Sequence, residues 1–139
     1  MRQFGRTYRT FLAAFEAAVG LPMQRWRVLL SLHQRDEAIS QKQLAEHLQI
    51  DPGALTRQLK HLQAMGWIER AVDARDNRIT NVSLSSAGRA AVDDALPRRN
   101  AFLETVTVAL PDDMLNVLST ALGLFETQLR EQVAVRPTV

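Results

Sequence analysis

The chain has 139 residues, of which 46% are hydrophobic and 23% charged, and this composition predicts one globular domain. It contains no cysteine, which excludes disulfides, thiolate metal sites and cysteine-based redox sensing. The net charge is +2, but residues 1–35 carry six arginines against one glutamate, so charge that attracts a polyanion is concentrated there.

The first third of the chain predicts two helices and a short extended segment. Between Arg6 and Val19 the apolar residues recur at three- and four-residue steps, which indicates an amphipathic helix that ends at Gly20. Aromatic residues interleave with the arginines here, so a helix is favoured over a disordered basic arm. Pro22 suits the first turn of a second helix, and residues 38–39 predict the extended segment.

Two short helices separated by a tight turn are predicted next. Ser40 with Gln43 has the spacing of a capping box, in which each side chain bonds the other's backbone N–H. Asp51 followed by Pro52 is a strong start signal, because aspartate accepts the unpaired N–H groups and proline has none. The second helix has an apolar stripe and a C-terminal stop at Gly66; the stripe comprises Leu55, Leu59 and Leu62.

The remaining chain predicts a β-hairpin and two helices. Residues 68–72 and 78–84 form the strands, joined by the polar cluster 73–77. Ser85 caps a long helix that carries Pro97 inside it, so we expect a kink or break near Leu96. A last helix runs from about Pro111 to Gln132, and residues 133–139 are expected to fray.

The order helix, turn, helix and hairpin predicts a winged helix-turn-helix, a mainly α fold with a small β-hairpin wing (α+β). In this motif the second helix reads the major groove of double-stranded DNA. Arg57 is the best candidate for a guanine contact, because its guanidinium can bond O6 and N7 together. The outward positions predicted to bind DNA are Pro52, Gly53, Ala54, Thr56, Arg57, Lys60 and His61. An ordinary solvated helix face is the alternative for Arg57 and Lys60.

The hairpin tip makes the prediction more specific. It reads Asp73-Ala74-Arg75-Asp76-Asn77-Arg78 and is similar to the D-x-R-D-x-R wing signature of the MarR family. Further resemblance lies in residues 44–48, in Leu59, Leu62, residues 66–68 and Arg70, and in residues 84–88. The resemblance implies that Arg78 enters the minor groove, Asp76 positions it, and Arg75 approaches the sugar-phosphate backbone. A narrow minor groove attracts arginine, which agrees with that role. By itself, such a tip could be a turn with a local ion pair.

One residue departs from the family pattern. Many members place glycine in the turn between the two motif helices, where this chain has Gln49. If the backbone there requires a positive φ, Gln49 is strained by roughly 1 kcal/mol, or the turn differs slightly.

The resemblance also implies a homodimeric repressor of a pseudo-palindromic operator. We expect a single domain over residues 1–139, with the DNA-binding region at 22–88 and a helical dimerisation region at 1–20 and 89–139. The apolar faces outside the winged region support the dimer, because they exceed what one small domain can cover.

Family members are often regulated by small anionic aromatic compounds, which implies an effector site between the two regions. The candidate lining residues are Tyr8, Arg9, Phe11, Met23, Arg25, Trp26, Arg27, His33 and Phe102. Aromatic residues at helical spacing are more often core, and that alternative is the stronger one for Trp26 and His33.

Other function classes are disfavoured. The chain has no nucleophile motif, phosphate loop or metal-ligand spacing, so we expect no enzyme activity, no catalytic residue, no metal and no cofactor. No apolar run reaches the roughly 20 residues of a membrane span, and the start of the chain lacks a signal-peptide pattern, so a cytoplasmic location is expected. A winged-helix module that binds protein instead of DNA is the alternative function.

Overall fold

The computed structural model describes residues 1–134. Its elements, in chain order, are α1 (Arg2–Val19), α2 (Met23–His33), β1 (Ile39–Ser40), α3 (Gln41–Leu48), α4 (Pro52–Ala64), β2 (Ile68–Val72), β3 (Thr80–Leu84), α5 (Ser86–Thr107) and α6 (Asp112–Ala134). Residues Met1–Phe102 form one compact unit, and a second unit begins at Leu103. Of the helices described, none alone is long and apolar enough to cross a membrane. Helices α5 and α6 taken as a pair meet the requirement for a membrane span by length and composition only.

The predicted wing is part of a three-stranded antiparallel sheet of order β1-β3-β2. The extended segment predicted at residues 38–39 lies one residue later, as β1, where Ile39 pairs with Val82. Strand β3 begins at Thr80 and not at residue 78 as predicted, because Ile79 belongs to the turn: its N–H donates to the Asp76 carbonyl at 3.0 Å. The sequence therefore predicted the hairpin and a short extended segment, but not that this segment pairs with β3 as the third strand.

The core of the first unit fixes α4 against the sheet and the neighbouring helices. The inward stripe of α4 is fully covered, with Leu55, Leu59 and Leu62 at 0–1% exposure. Leu44 from α3 and Val82 from β3 belong to the same buried cluster. Burying a leucine side chain contributes roughly 1.5–3 kcal/mol, so this stripe holds one face of α4 and leaves the opposite face to solvent.

Both motif helices start and stop as their local signals predict. Ser40 caps α3 in a complete capping box with Gln43, and the Asp51 carboxylate accepts the Ala54 N–H at 3.0 Å. Gln49 has φ 54° and ψ 47°, so of the two alternatives left open for this turn the structure has the positive φ. The N–H of Ile50 donates to the Ala45 carbonyl and that of Gln49 to Glu46, which is the pairing of a Schellman motif.

Several predicted boundaries shift. Helix α1 begins at Arg2, four residues before the prediction, and Pro22 lies just before α2 as its N-cap and not inside its first turn. Helix α5 continues through Pro97, so a break near Leu96 is wrong, while the kink stays a prediction. The buried Val92 and Ala95 hold the helix before the proline. Helix α6 extends to Ala134, which corrects the predicted fraying of residues 133–134. The rest of that prediction, for residues 135–139, lies outside the described residues.

Candidate nucleic-acid interface and neighbouring cleft

The outer face of α4 presents cationic side chains to solvent. Arg57, Lys60 and His61 are exposed, and the described residues provide no hydrogen-bond or ion-pair partner for the Arg57 side chain. Thr56 lies beside them and donates its hydroxyl hydrogen to the Pro52 carbonyl at 2.9 Å, so its oxygen is left to act as an acceptor. This face therefore holds unpaired donors on a helix whose other side is anchored in the core.

The N-terminus of α4 is compact and already capped. Pro52 and Gly53 are exposed and Ala54 is half-buried. A Cβ on Gly53 would lie 3.0 Å from the Asp51 carboxylate, so a side chain here would press on the cap. The Ala54 N–H is occupied by that carboxylate, which leaves small, solvent-facing surface around the first turn.

Asp73 organises the wing tip, a role that the sequence did not reveal. Its Oδ1 accepts the backbone N–H groups of Arg75 (2.9 Å) and Asp76 (3.1 Å), and its Oδ2 accepts from the side chain of Asn81 at 2.9 Å. The Arg75 N–H is the main cause that lowers the pKa of Asp73 below its ordinary value, followed by the Asn81 amide and the Asp76 N–H. The carboxylate thus stays ionised and closes the turn. The hydrogen bond from the Arg75 N–H to the side chain of Asp73, two residues earlier, is the pattern of an Asx turn. An aspartate at the start of the turn was therefore the sequence signal that could have predicted this role.

Arg78 and Asp76 lie together as the resemblance implied. The Asp76 Oδ1 accepts both the Arg78 backbone N–H at 3.0 Å and the guanidinium Nε at 3.2 Å. The Arg78 side chain is nevertheless 88% exposed, so its terminal nitrogens face solvent. Arg75 is exposed at the same tip. A surface ion pair of this kind stabilises the fold little and serves mainly to restrict the rotamer of the arginine.

Arg70 joins the wing to both motif helices. From β2 its Nε donates to Gln63 of α4 at 2.8 Å, and its Nη1 donates to Gln41 of α3 at 3.3 Å. Gln63 is only seven residues from Arg70, but Gln41 is 29 residues away, so local pattern could not predict the contact with α3. The contact with Gln63 connects the wing to α4, the helix that presents Arg57.

A cleft of about 620 Å³ lies between α3 and the wing. Lys42 and Arg78 supply positive charge at its walls, while Glu46 and Asp73 supply negative charge. Lys42 is absent from the predicted DNA-binding set. Its position in the first turn of α3 gave no apolar or motif signal, so only the fold brings it near the wing.

A second cleft, of about 490 Å³, lies between α1, α2 and α4. We call it the α1–α2 cleft. It brings together five of the predicted effector-binding residues, namely Tyr8, Phe11, Met23, Arg25 and Arg27. Its wall also contains residues that the sequence reasoning missed: Leu12, Glu16, Pro22, Gln24 and Gln58. The mixture of aromatic surface and arginine suits an anionic aromatic molecule.

The other predicted effector residues lie outside the wall of this cleft. Trp26 is 3% exposed and packs on Phe15, with ring centroids 6.4 Å apart, so it is a core residue. Phe102 packs between Phe11 (5.7 Å) and Phe15 (5.8 Å). His33 Nε2 lies 2.8 Å from the Asp93 carboxylate of α5.

Arg9 is exposed on α1. Among residues 1–134 there is no group of three or more histidine, cysteine, aspartate or glutamate side chains that could hold a metal ion.

Comparison with known proteins agrees with this geometry. Residues 21–80 match the model of the MarR family. An uncharacterized HTH-type transcriptional regulator of Bacillus subtilis, YdgJ, is 37% identical over 90 residues, which are 65% of this chain and 54% of YdgJ. The chain thus spans about half the length of this curated relative.

Two solved structures share the fold. The MepR–DNA complex of S. aureus superposes with a TM-score of 0.83 at 19% identity, covering 91% of this chain and 96% of that one. CouR of Rhodococcus jostii, bound to p-coumaroyl-CoA, has a TM-score of 0.72 at 21% identity, covering 99% of this chain and 92% of that one. The matched segment contains α2 to β2 and the wing tip described above. Over residues 21–80, the chain therefore resembles the MarR family.

Proposed function

We propose that this protein is a double-stranded DNA-binding transcriptional regulator that acts as a homodimeric, ligand-responsive repressor in the cytoplasm. The observation that carries the proposal is the pair of exposed arginines, one on α4 and one at the wing tip. Arg57 stands without a partner among the described residues on the outer face of α4, and Arg78 is oriented by Asp76 at the wing tip. Such a pair suits simultaneous contact with a major groove and the adjacent minor groove.

The two arginines have different tasks under this proposal. Arg57 reads a guanine edge, and Thr56, Lys60 and His61 contact base edges or phosphates beside it. Arg78 inserts into the minor groove, where Asp76 limits its rotamers, while Arg75 contacts the backbone. The small residues Pro52, Gly53 and Ala54 allow a phosphate to approach the start of α4.

The test is selection of a binding site from random-sequence duplex DNA, followed by fluorescence anisotropy across a salt series. Arg57→Ala should weaken binding by about 1–3 kcal/mol and relax base preference at one position. Arg78→Ala should also weaken binding, with a smaller loss on sites that lack a narrow minor groove. Arg89→Ala, an exposed arginine on α5, is the matched control and should bind as the parent does.

Two results would contradict the proposal. If no DNA is enriched by the parent protein, a protein-binding role for the winged helix takes precedence. If DNA is enriched but both arginine variants bind it as tightly as the parent at every salt concentration, the assigned residues are wrong.

The dimer is supported by apolar surface on α6. None of the 23 residues of this helix is buried, although Leu118, Leu122 and Leu129 form one apolar stripe and Val117 and Leu124 a second. Exposed apolar helix faces of this length normally mark an interface. A two-fold dimer would present its α4 helices to half-sites about one helical turn apart, hence a pseudo-palindromic operator.

The α1–α2 cleft supports the effector. Its arginines can meet a carboxylate and its aromatic side chains an aromatic ring. A panel of aromatic acids added to the anisotropy assay should contain at least one that changes operator affinity, and Arg25→Gln should reduce that response. An unchanged affinity across the panel would contradict this part of the proposal.

A further inference from the structure

Arg70 fixes the orientation of a glutamine in the wall of the cleft between α3 and the wing. We call this cleft the α3–wing cleft; Gln41 is one of its lining residues. The Arg70 Nη1 donates to the Gln41 Oε1 at 3.3 Å, and the Arg70 Nε donates to Gln63 at 2.8 Å. Because arginine has donors only, the oxygen of the Gln41 amide faces it and the amide nitrogen is turned away.

The α3–wing cleft contains three side chains with available N–H donors. No described residue accepts from the Gln41 amide nitrogen, and this atom is not buried. Lys42, the next residue of α3, is exposed and has no hydrogen-bond or ion-pair partner within residues 1–134. Arg78 lines the cleft from the wing with a side chain that is 88% exposed. Two of the three side chains are cationic.

The two acidic residues of the cleft oppose an anion unequally. Two backbone N–H groups and the Asn81 amide donate to the Asp73 carboxylate, so its charge is compensated locally. Glu46, one turn after Lys42, is exposed and has no partner among the described residues. With Asp73 compensated, two cations face one anion, so the cleft favours an anionic ligand.

We propose that the α3–wing cleft binds a phosphodiester of the DNA backbone, with Lys42 and Gln41 as its ligands and Arg70 as the positioning residue that presents the Gln41 amide. This inference rests on the proposed DNA-binding function. It adds a phosphate site formed by residues outside the two groove-reading surfaces. Lysine and glutamine are common donors to phosphate oxygens, and such contacts fix the register of a protein on DNA without reading its sequence.

The position of Arg78 indicates that the anion is a backbone phosphate. Phosphates line both sides of the minor groove, so a groove that receives Arg78 brings phosphates to the residues beside it. Under the proposed function α4 occupies the adjacent major groove, and one strand of the duplex separates the two grooves. Arg70 bonds α3 and α4 from the wing, so it connects this cleft to both DNA-reading surfaces.

The first test measures how salt affects binding to the DNA that the parent protein selects. Each phosphate contact releases about one counterion, so Lys42→Ala should reduce the slope of log K against log salt concentration by about 1 and weaken binding to selected and random duplexes alike. Arg89→Ala, on α5 and outside the cleft, should keep the parental slope. An unchanged slope in Lys42→Ala would overturn the inference.

Glu46→Gln tests the sign of the charge that the cleft receives. Removal of the opposing carboxylate should make DNA binding at least about twofold tighter at low salt. Equal or weaker binding would overturn the inference, because a phosphate near Glu46 is repelled by it.

The second test locates the phosphate with duplexes that carry one neutral methylphosphonate linkage at a time. At one linkage beside the minor groove that Arg78 enters, the substitution should weaken parental binding by about threefold or more. This loss should disappear in Lys42→Ala and shrink in Gln41→Leu, as coupled groups behave in a double-mutant cycle. The absence of any linkage whose loss depends on Lys42 would overturn the site.

Gln63→Leu is the matched control for Gln41→Leu. Each variant removes one hydrogen bond from Arg70, but only Gln41 lines the cleft. The two variants should therefore have similar urea midpoints, while the methylphosphonate loss shrinks in Gln41→Leu and keeps its parental value in Gln63→Leu. An equal loss in both variants would overturn the role of Gln41 as a phosphate ligand.

Arg70→Met tests the positioning role, because the Gln41 amide is then free to rotate. Its methylphosphonate loss should fall to the value found in Gln41→Leu, and a loss equal to the parent's would overturn this role. If Arg70→Met does not fold, the comparison of Gln41→Leu with Gln63→Leu still decides the inference. Failure of the proposed function is distinguishable, because the parent protein would then select no DNA and the phosphate site would fall with it.

Discussion

Substitution of Gly88 by alanine tests the packing between α5 and the wing. A Cβ at this position would lie 1.9 Å from the Trp67 carbonyl oxygen and 2.8 Å from its carbon. The carbonyl cannot retreat easily, because it already accepts the Ser85 N–H at 3.0 Å and begins the strand that carries the wing. Overpacking costs typically about 1–3 kcal/mol and the strained hydrogen bond about 1 more, whereas alanine recovers at most about 1 kcal/mol of helix propensity. After that recovery is subtracted, we expect Gly88→Ala to lower the free energy of unfolding by about 1–3 kcal/mol.

The assay is urea unfolding followed by circular dichroism at one fixed protein concentration, since self-association also changes the apparent stability. With a slope of about 2 kcal/mol per molar urea, the midpoint should fall by about 0.5–1.5 M. Gly123→Ala is the matched control: it lies within α6, no described atom falls within 4 Å of the position that its Cβ would take, and propensity alone predicts a gain of about 0.5–1 kcal/mol. A midpoint for Gly88→Ala equal to or above the parent's would refute the close approach of α5 to Trp67.

Three further changes test the turn, the wing tip and the dimer. Gln49→Gly should raise the free energy of unfolding by about 0.5–1 kcal/mol, because glycine adopts the observed φ of 54° without strain; an unchanged or lower urea midpoint would contradict this. The pKa of Asp73 is lowered in the folded state, so this carboxylate stabilises the fold above its unfolded pKa near 4, and the stabilisation is lost as pH falls through its folded pKa. Asp73→Asn should therefore flatten the acid side of a curve of stability against pH, and it should weaken DNA binding several-fold. Leu122→Lys, in the exposed apolar stripe of α6, should shift the protein toward monomer in analytical ultracentrifugation, whereas Glu131→Lys should not.

The parts of this fold that sequence predicted are those specified by neighbouring residues. The Ser40 capping box, the Asp51-Pro52 start and the Gly66 stop each act within a few residues, and each is found where the pattern placed it. Strand β2 also spans the residues predicted for it, 68–72. For Gln49 the sequence left open a strained positive φ or a different turn, and the structure has the positive φ.

The parts that sequence missed depend on contacts between distant segments. Phe102 carries the aromatic character of a binding site, but it is partly buried and packs on Phe11 and Phe15 of α1. His33 is met by Asp93, which lies 60 residues away. Pro97 has the local signature of a break, yet the buried residues before it keep α5 continuous. In each case the role of the side chain is decided by distant neighbours, which local pattern does not contain.

Gln58 shows that a local pattern can place a side chain without indicating its partners. Helical periodicity places it on the leucine face of α4, where a polar side chain is costly unless it is bonded. Only the fold supplies Gln24 as a partner for its amide nitrogen, while its oxygen is buried without a partner among the described residues. A leucine at this position would pack without an unpaired group, so stability favours the apolar residue. Gln58→Leu should therefore unfold at a higher urea concentration than the parent, and a midpoint equal to or below the parent's would show that the bridge to Gln24 outweighs the unpaired oxygen.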